Sequence, residues 1–344
     1  MSIAFITAAL RRVAAAAAAA AAALLLSATV HAADPAPEGG KAPTYTMNIA
    51  NVADDSHPIN IALVQFQRNV QQATHGDLQV LIHHSSARGG ENEIIEKVNS
   101  GELEAAMPMS GSFWEKYNPA ANVSLIPFLF TSLVGARRAW DGSFGAKFAR
   151  EIIEPNGAYV LSYWESGYRH MTNSDHPITT PSDMAGIRFR TSFNDMKIQM
   201  FQALEADVVM MQFAEVYDAL KSGAVGGQEN PAANIMASDL YEVQKYLSLT
   251  GHMYDNCVFA VNRKWFDALP LSYQRILKYE ARQARAIDLS LSDETRFIER
   301  LKELGMEVNE VDRSAFQQAM KPIWERFSRE HGPEWIEAAV NAQM

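Results

Sequence analysis

Apolar and polar positions in this chain switch between two periods. His57–Thr74 places Ile59, Leu63, Phe66 and Val70 on one face at helical spacing and predicts an amphipathic helix. Tyr45–Val52 before it and Leu78–His83 after it read as strands, with Arg88-Gly89-Gly90 forming a turn. Glu91–Ser100 predicts a short helix with Ile94, Ile95 and Val98 inward, closed by Gly101. Leu103–Met109, Ala158–Trp164 and Gly186–Arg190 read as further strands, with helices between them. Repeated strand–helix alternation predicts an α/β architecture with a mainly parallel sheet in each lobe. Residues 271–304 contain no Gly or Pro and are rich in helix formers. As one helix they would run about 50 Å at ~1.5 Å per residue, enough to brace two lobes. The alternative is two helices broken near Asp288–Ser292. Ser314–Glu330 and Pro333–Gln343 predict the closing helices.

The N-terminus breaks this pattern. Arg11 and Arg12 precede Val13, ten alanines and Leu24–Leu26, and Val30-His31-Ala32 supplies small residues for a cut. That is the layout of a secretory signal over residues 1–32, cleaved after about Ala32. A retained anchor is the alternative, but the apolar run is short for a ~20-residue span. Residues 33–43 are rich in Pro, Gly and Ala and read as a mobile leader. The expected protein is exported and periplasmic.

Length and composition sharpen the picture. The 344 residues suggest about two domains, and 48% hydrophobic content suffices for a large core. The net charge of −10 argues against a nucleic-acid partner, without excluding a local basic pocket. The single cysteine, Cys257, lies in an apolar run and reads as a buried, inert thiol, so no internal disulfide supports the fold.

The candidate chemistry lies between Trp164 and His252. Arg188 and Arg190 share one face of a strand, opposite Ile187 and Phe189. Ligands of open α/β sheets bind beyond the carboxyl ends of strands, so Arg190 is the better ligand contact and Arg188 the solvated one. A guanidinium fork matches a carboxylate bidentately. Arg169 is a weaker candidate just after a strand. Phe213 opens a helix whose apolar residues Phe213, Val216, Tyr217 and Leu220 mostly read as core. Asn230, held extended before Pro231, reads as a turn whose amide could complement an anion held by arginine. No Gly-x-Ser-x-Gly, His-Glu-x-x-His or Cys-x-x-Cys accompanies these residues, which points to holding an anion rather than transforming one. No cofactor is expected.

Taken together, these segments resemble the DctP-type extracytoplasmic solute receptors of tripartite ATP-independent periplasmic (TRAP) transporters. The resemblance rests on Gly167-Tyr168-Arg169 followed by Thr172-Asn173-Ser174, on Met211–Leu220, and on Gly227-Gln228-Glu229-Asn230-Pro231. Residues 241–247, Thr250-Gly251-His252, Gly89-Gly90 and Ile126–Phe130 add to it, so it covers about residues 45–335. It implies a two-lobed, type II-like periplasmic binding fold with crossing strands and a long helix spanning both lobes. The lobes are then residues 44–166 plus 256–295 and 167–255 plus 296–344. The resemblance also implies a carboxylate salt bridge at Arg190, a second contact at Arg169, an aromatic wall at Phe213, an amide contact at Asn230 and a further pocket position at Phe193. Two positions depart from the family. Gly226 stands where an Asp is frequent, and Met109 occupies a strand end that is polar in some sialic-acid receptors. His170 beside Arg169 would add positive potential to the cleft.

Three functions compete. A receptor would close over an organic acid and hand it to transporter membrane subunits, acting as a monomer. A receptor could instead feed a sensor or another importer, since one scaffold hosts many roles. An enzyme acting on a carboxylate is the third, and it lacks a recognisable nucleophile or metal motif. A C4-dicarboxylate, a sugar acid, a keto acid and an aromatic acid all offer a carboxylate to Arg190.

Overall fold

The computed structural model describes residues 42–344. The signal and the leader as far as residue 41 lie outside the described residues. Nine strands form one mixed sheet: β1 (Tyr45–Ala50), β2 (Leu78–His83), β3 (Ala105–Ala106), β4 (Ala158–Asn173), β5 (Arg188–Thr191), β6 (Asp207–Met210), β7 (Gly227–Pro231), β8 (Tyr246–Asn262) and β9 (Glu307–Asn309). Their order is β2-β1-β3-β8-β4-β7-β5-β6, with β9 on β8.

The two outer parts of the sheet pair in parallel, β2-β1-β3 at one end and β7-β5-β6 at the other. That much follows the strand–helix alternation. The middle differs: β4 and β8 are antiparallel to each other and join the two ends into one sheet. Half of their ladder, from Ala158–Asn262 to Glu165–Asn256, continues β3, whereas Arg169–Asn173 of β4 pairs with β7. Between the halves the register shifts at Glu165/Gly167. Gly167 sits there at φ 106°, where a side chain would be strained.

Local chemistry accounts for the elements the pattern found. Helix Pro58–Ala73 has Pro at its first position, and the His57 imidazole caps it by accepting from Ile59 N. Its buried Ile59, Leu63, Phe66 and Val70 pack with Val80, Phe259 and Leu277 in one core. A second core joins residues 113–158 to Phe189, Phe201, Phe316 and Trp335, and a third gathers Val216, Ile235, Leu247 and Leu301. Cys257 is fully buried against Met107 O, and burial raises its thiol well above the ordinary value.

Several expected elements change. Leu103–Met109 shrinks to Ala105–Ala106, because Pro108 has no N–H to offer a ladder. The single helix over 271–304 is two, Leu271–Leu291 and Glu294–Glu303. Asp293 caps the second by accepting from Thr295 N and Arg296 N, and so starts a new helix. Ser314–Glu330 likewise divides at Met320, and its second part begins Lys321-Pro322. The segment around Asn230 is strand β7 rather than a turn. The last helices pack on residues 127–138 through Trp324 Nε1→Pro127 O, 2.8 Å, and Gln343 Nε2→Leu129 O, 3.1 Å.

Candidate functional site

Strand β5 carries Arg190 to the carboxyl end of the sheet, where β4 and β7 deliver Arg169 and Asn230. Arg190, Arg169, Asn230, Phe213 and Phe193 all line one cleft, which encloses about 520 Å³ with its mouth included. Their states differ sharply.

Arg169 is spent on the protein. Its guanidinium pairs with Glu229, reaches Asp255 Oδ2 at 3.2 Å and donates to Glu229 O and Asn230 Oδ1 at 3.0 Å each. Burial acts to lower it, but Glu229 and Asp255 outweigh burial and raise it. Asn230 is spent as well, since its Nδ2 donates to Gln228 Oε1. Lys197, 2% exposed, meets Glu229 Oε1 at 3.2 Å. Burial pushes this lysine down, helped by the Arg169 charge. Burial pushes the Glu229 carboxyl up, but Arg169 and Lys197 win and hold it well below the usual range. This cluster is a buried scaffold in which each charge has a partner.

Arg190 is the exception. It is 3% exposed and forms no ion pair among the described residues. Nη2 donates to Met211 O at 2.8 Å, while Nε is buried with no partner. Burial is the first cause that brings it down to about 10, with Arg169 repelling it and Glu229 holding it up. The Phe213 ring stands 5.9 Å from its guanidinium carbon. A desolvated guanidinium with an unpartnered Nε beside a cleft has the chemistry to pair with a planar anion. Arg188, on the same strand, is exposed and pairs with Asp207 at 3.4 Å.

The cleft also contains residues that the sequence did not single out. Glu91 opens helix Glu91–Ser100, and its carboxylate accepts from Met109 N at 3.2 and 3.3 Å. Burial pushes it up to about 8. Lys197 and Asp255 were also missed, as were Asn92, Asn234, Ser192 and Gln212. The one available signal was a lysine, Lys197, among the apolar residues of Asp195–Ala203. His170 does not join the cleft, contrary to expectation. Neighbouring strand residues point to opposite faces, so its Nδ1 accepts from Gly251 N at 3.1 Å and its Nε2 meets Glu294 Oε1 at 2.7 Å. At Gly226 a Cβ would stand 3.4 Å from Asp175 Oδ2, so a carboxylate already occupies that neighbourhood.

Segments far apart in the chain also touch. His57 Nε2 lies 3.2 Å from Asn234 Oδ1, and Ser238 donates to Asp54. Asn194 Nδ2 donates to Asn122 Oδ1 at 2.9 Å, and Asp195 N donates to the Glu115 carboxylate at 3.2 Å.

Residues 49–330 match the model of the bacterial extracellular solute-binding proteins of family 7, the DctP family. This chain belongs to that family. Among curated relatives of this family 7 protein is the 2,3-diketo-L-gulonate-binding periplasmic protein of Escherichia coli. It is 34% identical over 264 residues, 76% of this chain and 80% of the relative. Among solved structures, the sugar acid binding protein of Advenella mimigardefordensis in complex with galactonate superposes with a TM-score of 0.84 at 29% identity. That match covers 88% of this chain and 99% of the other. A TRAP periplasmic solute-binding protein of Chromohalobacter salexigens with bound D-glucuronate gives 0.82 at 31%, covering 86% and 99%. The family 7 protein therefore has the two-lobed α/β receptor fold and is a solute-binding protein of TRAP transport, not an enzyme. Among its described residues, no helix is long and apolar enough to cross a membrane.

Proposed function

We propose that this receptor captures an organic acid in the periplasm, with Arg190 forming a salt bridge to the ligand carboxylate, and delivers it to TRAP membrane subunits. The observation that carries this reading is the buried Arg190, without an ion pair and with Nε unpartnered. The ligands of the relatives, a diketo-gulonate, galactonate and D-glucuronate, support the sugar acids and related carboxylates as its class. Phe213 walls the bound acid, Phe193 covers the cleft mouth, and Arg169 and Asn230 hold the floor. The protein acts as a monomer, without nucleic acid, after export and cleavage after about Ala32.

The lobes divide at the midpoints of β4 and β8, as 44–166 plus 256–295 and 167–255 plus 296–344. The register shift at Glu165/Gly167 supports that hinge. The contacts His57–Asn234, Asp54–Ser238 and Glu115–Asp195 then cross between the lobes and favour the closed state, and a ligand bridging both lobes adds to them.

Isothermal titration with a panel of organic acids tests the clamp. Each charge-assisted bond contributes about 1.5–3 kcal/mol, so Arg190→Ala should weaken binding at least about a hundredfold while the circular dichroism spectrum is unchanged. Unchanged affinity in that variant would refute the assignment. Delivery is tested by uptake in vesicles carrying the small and large membrane subunits, which should depend on added receptor.

A further inference from the structure

The charges of the cleft carry more than the presence of a carboxylate site. The cations at or beneath its surface are Arg169, Arg190 and Lys197, and the carboxylates are Glu91, Glu229 and Asp255. Arg169 and Lys197 are already shared between Glu229 and Asp255. One cation, Arg190, is left for a ligand. Glu91 faces the same space without an ion pair among the described residues, its hydrogen bonds being those from Met109 N. The rest of the polar lining is neutral: Asn92, Asn234, Ser192, Gln212 and Asn230, the last held by Arg169 and Gln228. Ser192 Oγ is buried without a partner, and Asn234 has used its oxygen on His57.

We infer that the receptor selects hydroxylated monocarboxylates over dicarboxylates of the same length, and that Glu91 is the residue that excludes a second ligand carboxylate. This rests on the carboxylate reading of the site. A ligand acid on Arg190 is matched charge for charge. Its hydroxyls meet amides, a hydroxyl and the Glu91 carboxyl, which can accept from them. A second carboxylate at the far end finds no uncommitted cation and instead faces Glu91, with Asp255 behind. Specificity of this kind comes from a repulsive element as much as from an attractive one. Above about pH 8, where the Glu91 carboxyl is charged, like charges at contact in a partly buried site carry a penalty of on the order of a hundredfold in affinity.

The test uses ligand pairs that differ only in whether the terminal carbon is an alcohol or a carboxylate. D-Gluconate is paired with D-glucarate, and 4-hydroxybutyrate with succinate, each titrated calorimetrically into the full mature protein at pH 9, where the Glu91 carboxyl, pushed up to about 8, is charged. Each monoacid that binds is expected to bind at least about tenfold tighter than its diacid. Glu91→Gln, which keeps the shape and the acceptor for Met109 N, should shrink that ratio at least about threefold by improving the diacid. The wild type provides a second readout that needs no variant. As pH rises through 8 the Glu91 carboxyl loses its proton, so selectivity against the diacid should grow. A diacid that binds as tightly as its monoacid overturns this inference while leaving the carboxylate clamp standing. A ratio unmoved by both Glu91→Gln and pH overturns the role of Glu91. If no member of either pair binds, and no acid of the wider panel binds, the carboxylate reading itself falls.

Discussion

Replacing Arg190 with methionine should make the unliganded receptor more stable while destroying its function. The guanidinium is held down at about 10, against an ordinary value above ~12. At ~1.36 kcal/mol per pH unit, keeping it charged in the empty cleft costs on the order of 3 kcal/mol. Methionine fills much of the same volume and removes the charge. Leaving Met211 O without its donor returns about 1 kcal/mol of the gain. The net expectation is on the order of 2 kcal/mol. For a chain this long, ~1 kcal/mol moves the melting midpoint by about 2 °C, so Arg190→Met should melt about 4 °C higher. With ligand the order reverses. The wild type gains ~2.7 kcal/mol at 100 times its dissociation constant and ~4.1 at a thousand times, whereas the variant gains nothing. Differential scanning calorimetry with and without the tightest-binding acid reads both effects. A ligand-free variant that melts at or below the wild type would show that Arg190 is not an uncompensated charge. A retained ligand shift would show that it is not the clamp.

Three further outcomes follow from the same structure. His57 and His252 are buried, and burial lowers both to about 4 against hydrogen bonds that act to raise them. The unfolded histidines take up protons near 6.5, so the unfolded state binds more protons between pH 6.5 and 4 and stability falls as pH drops through that window. The fall should reach on the order of 3 kcal/mol per histidine, and His57→Gln should remove about half of it in urea titrations run across the window. Gly145→Ala would set a Cβ 1.9 Å from Trp140 O and 2.9 Å from Tyr163 Cε2; backbone cannot yield cheaply, so a loss of about 3 kcal/mol is expected by chemical denaturation. Phe213→Ala should weaken acid binding by about three- to tenfold in calorimetric titration, the worth of one cation–π contact, because its ring lies beside Arg190 as well as packing on the edges of two cores.

The sequence determined the parts of this protein whose physics is local. Periodicity located helices Pro58–Ala73 and Glu91–Ser100 and strand Leu78–His83, because one face of each must be apolar and caps mark the helix ends. Position along the strand separated Arg190 from Arg188, since ligands of open α/β sheets bind beyond the carboxyl ends of strands. The family resemblance supplied Phe193 and named Arg169 and Asn230 as separate contacts. Strand β8 left no such trace, and of β4 only Ala158–Trp164 was legible. Both are buried on two faces over most of their length, so β8 shows no alternation, and the second half of β4 is polar because its groups satisfy one another across strands. Only the tertiary structure decided how the charges are shared. Glu229, Asp255 and Lys197 lie far apart in the chain, and burial together in a low dielectric makes each depend on the others. That sharing commits Arg169 to the scaffold, and leaves Arg190 without an ion pair among the described residues and Glu91 lining the same cleft.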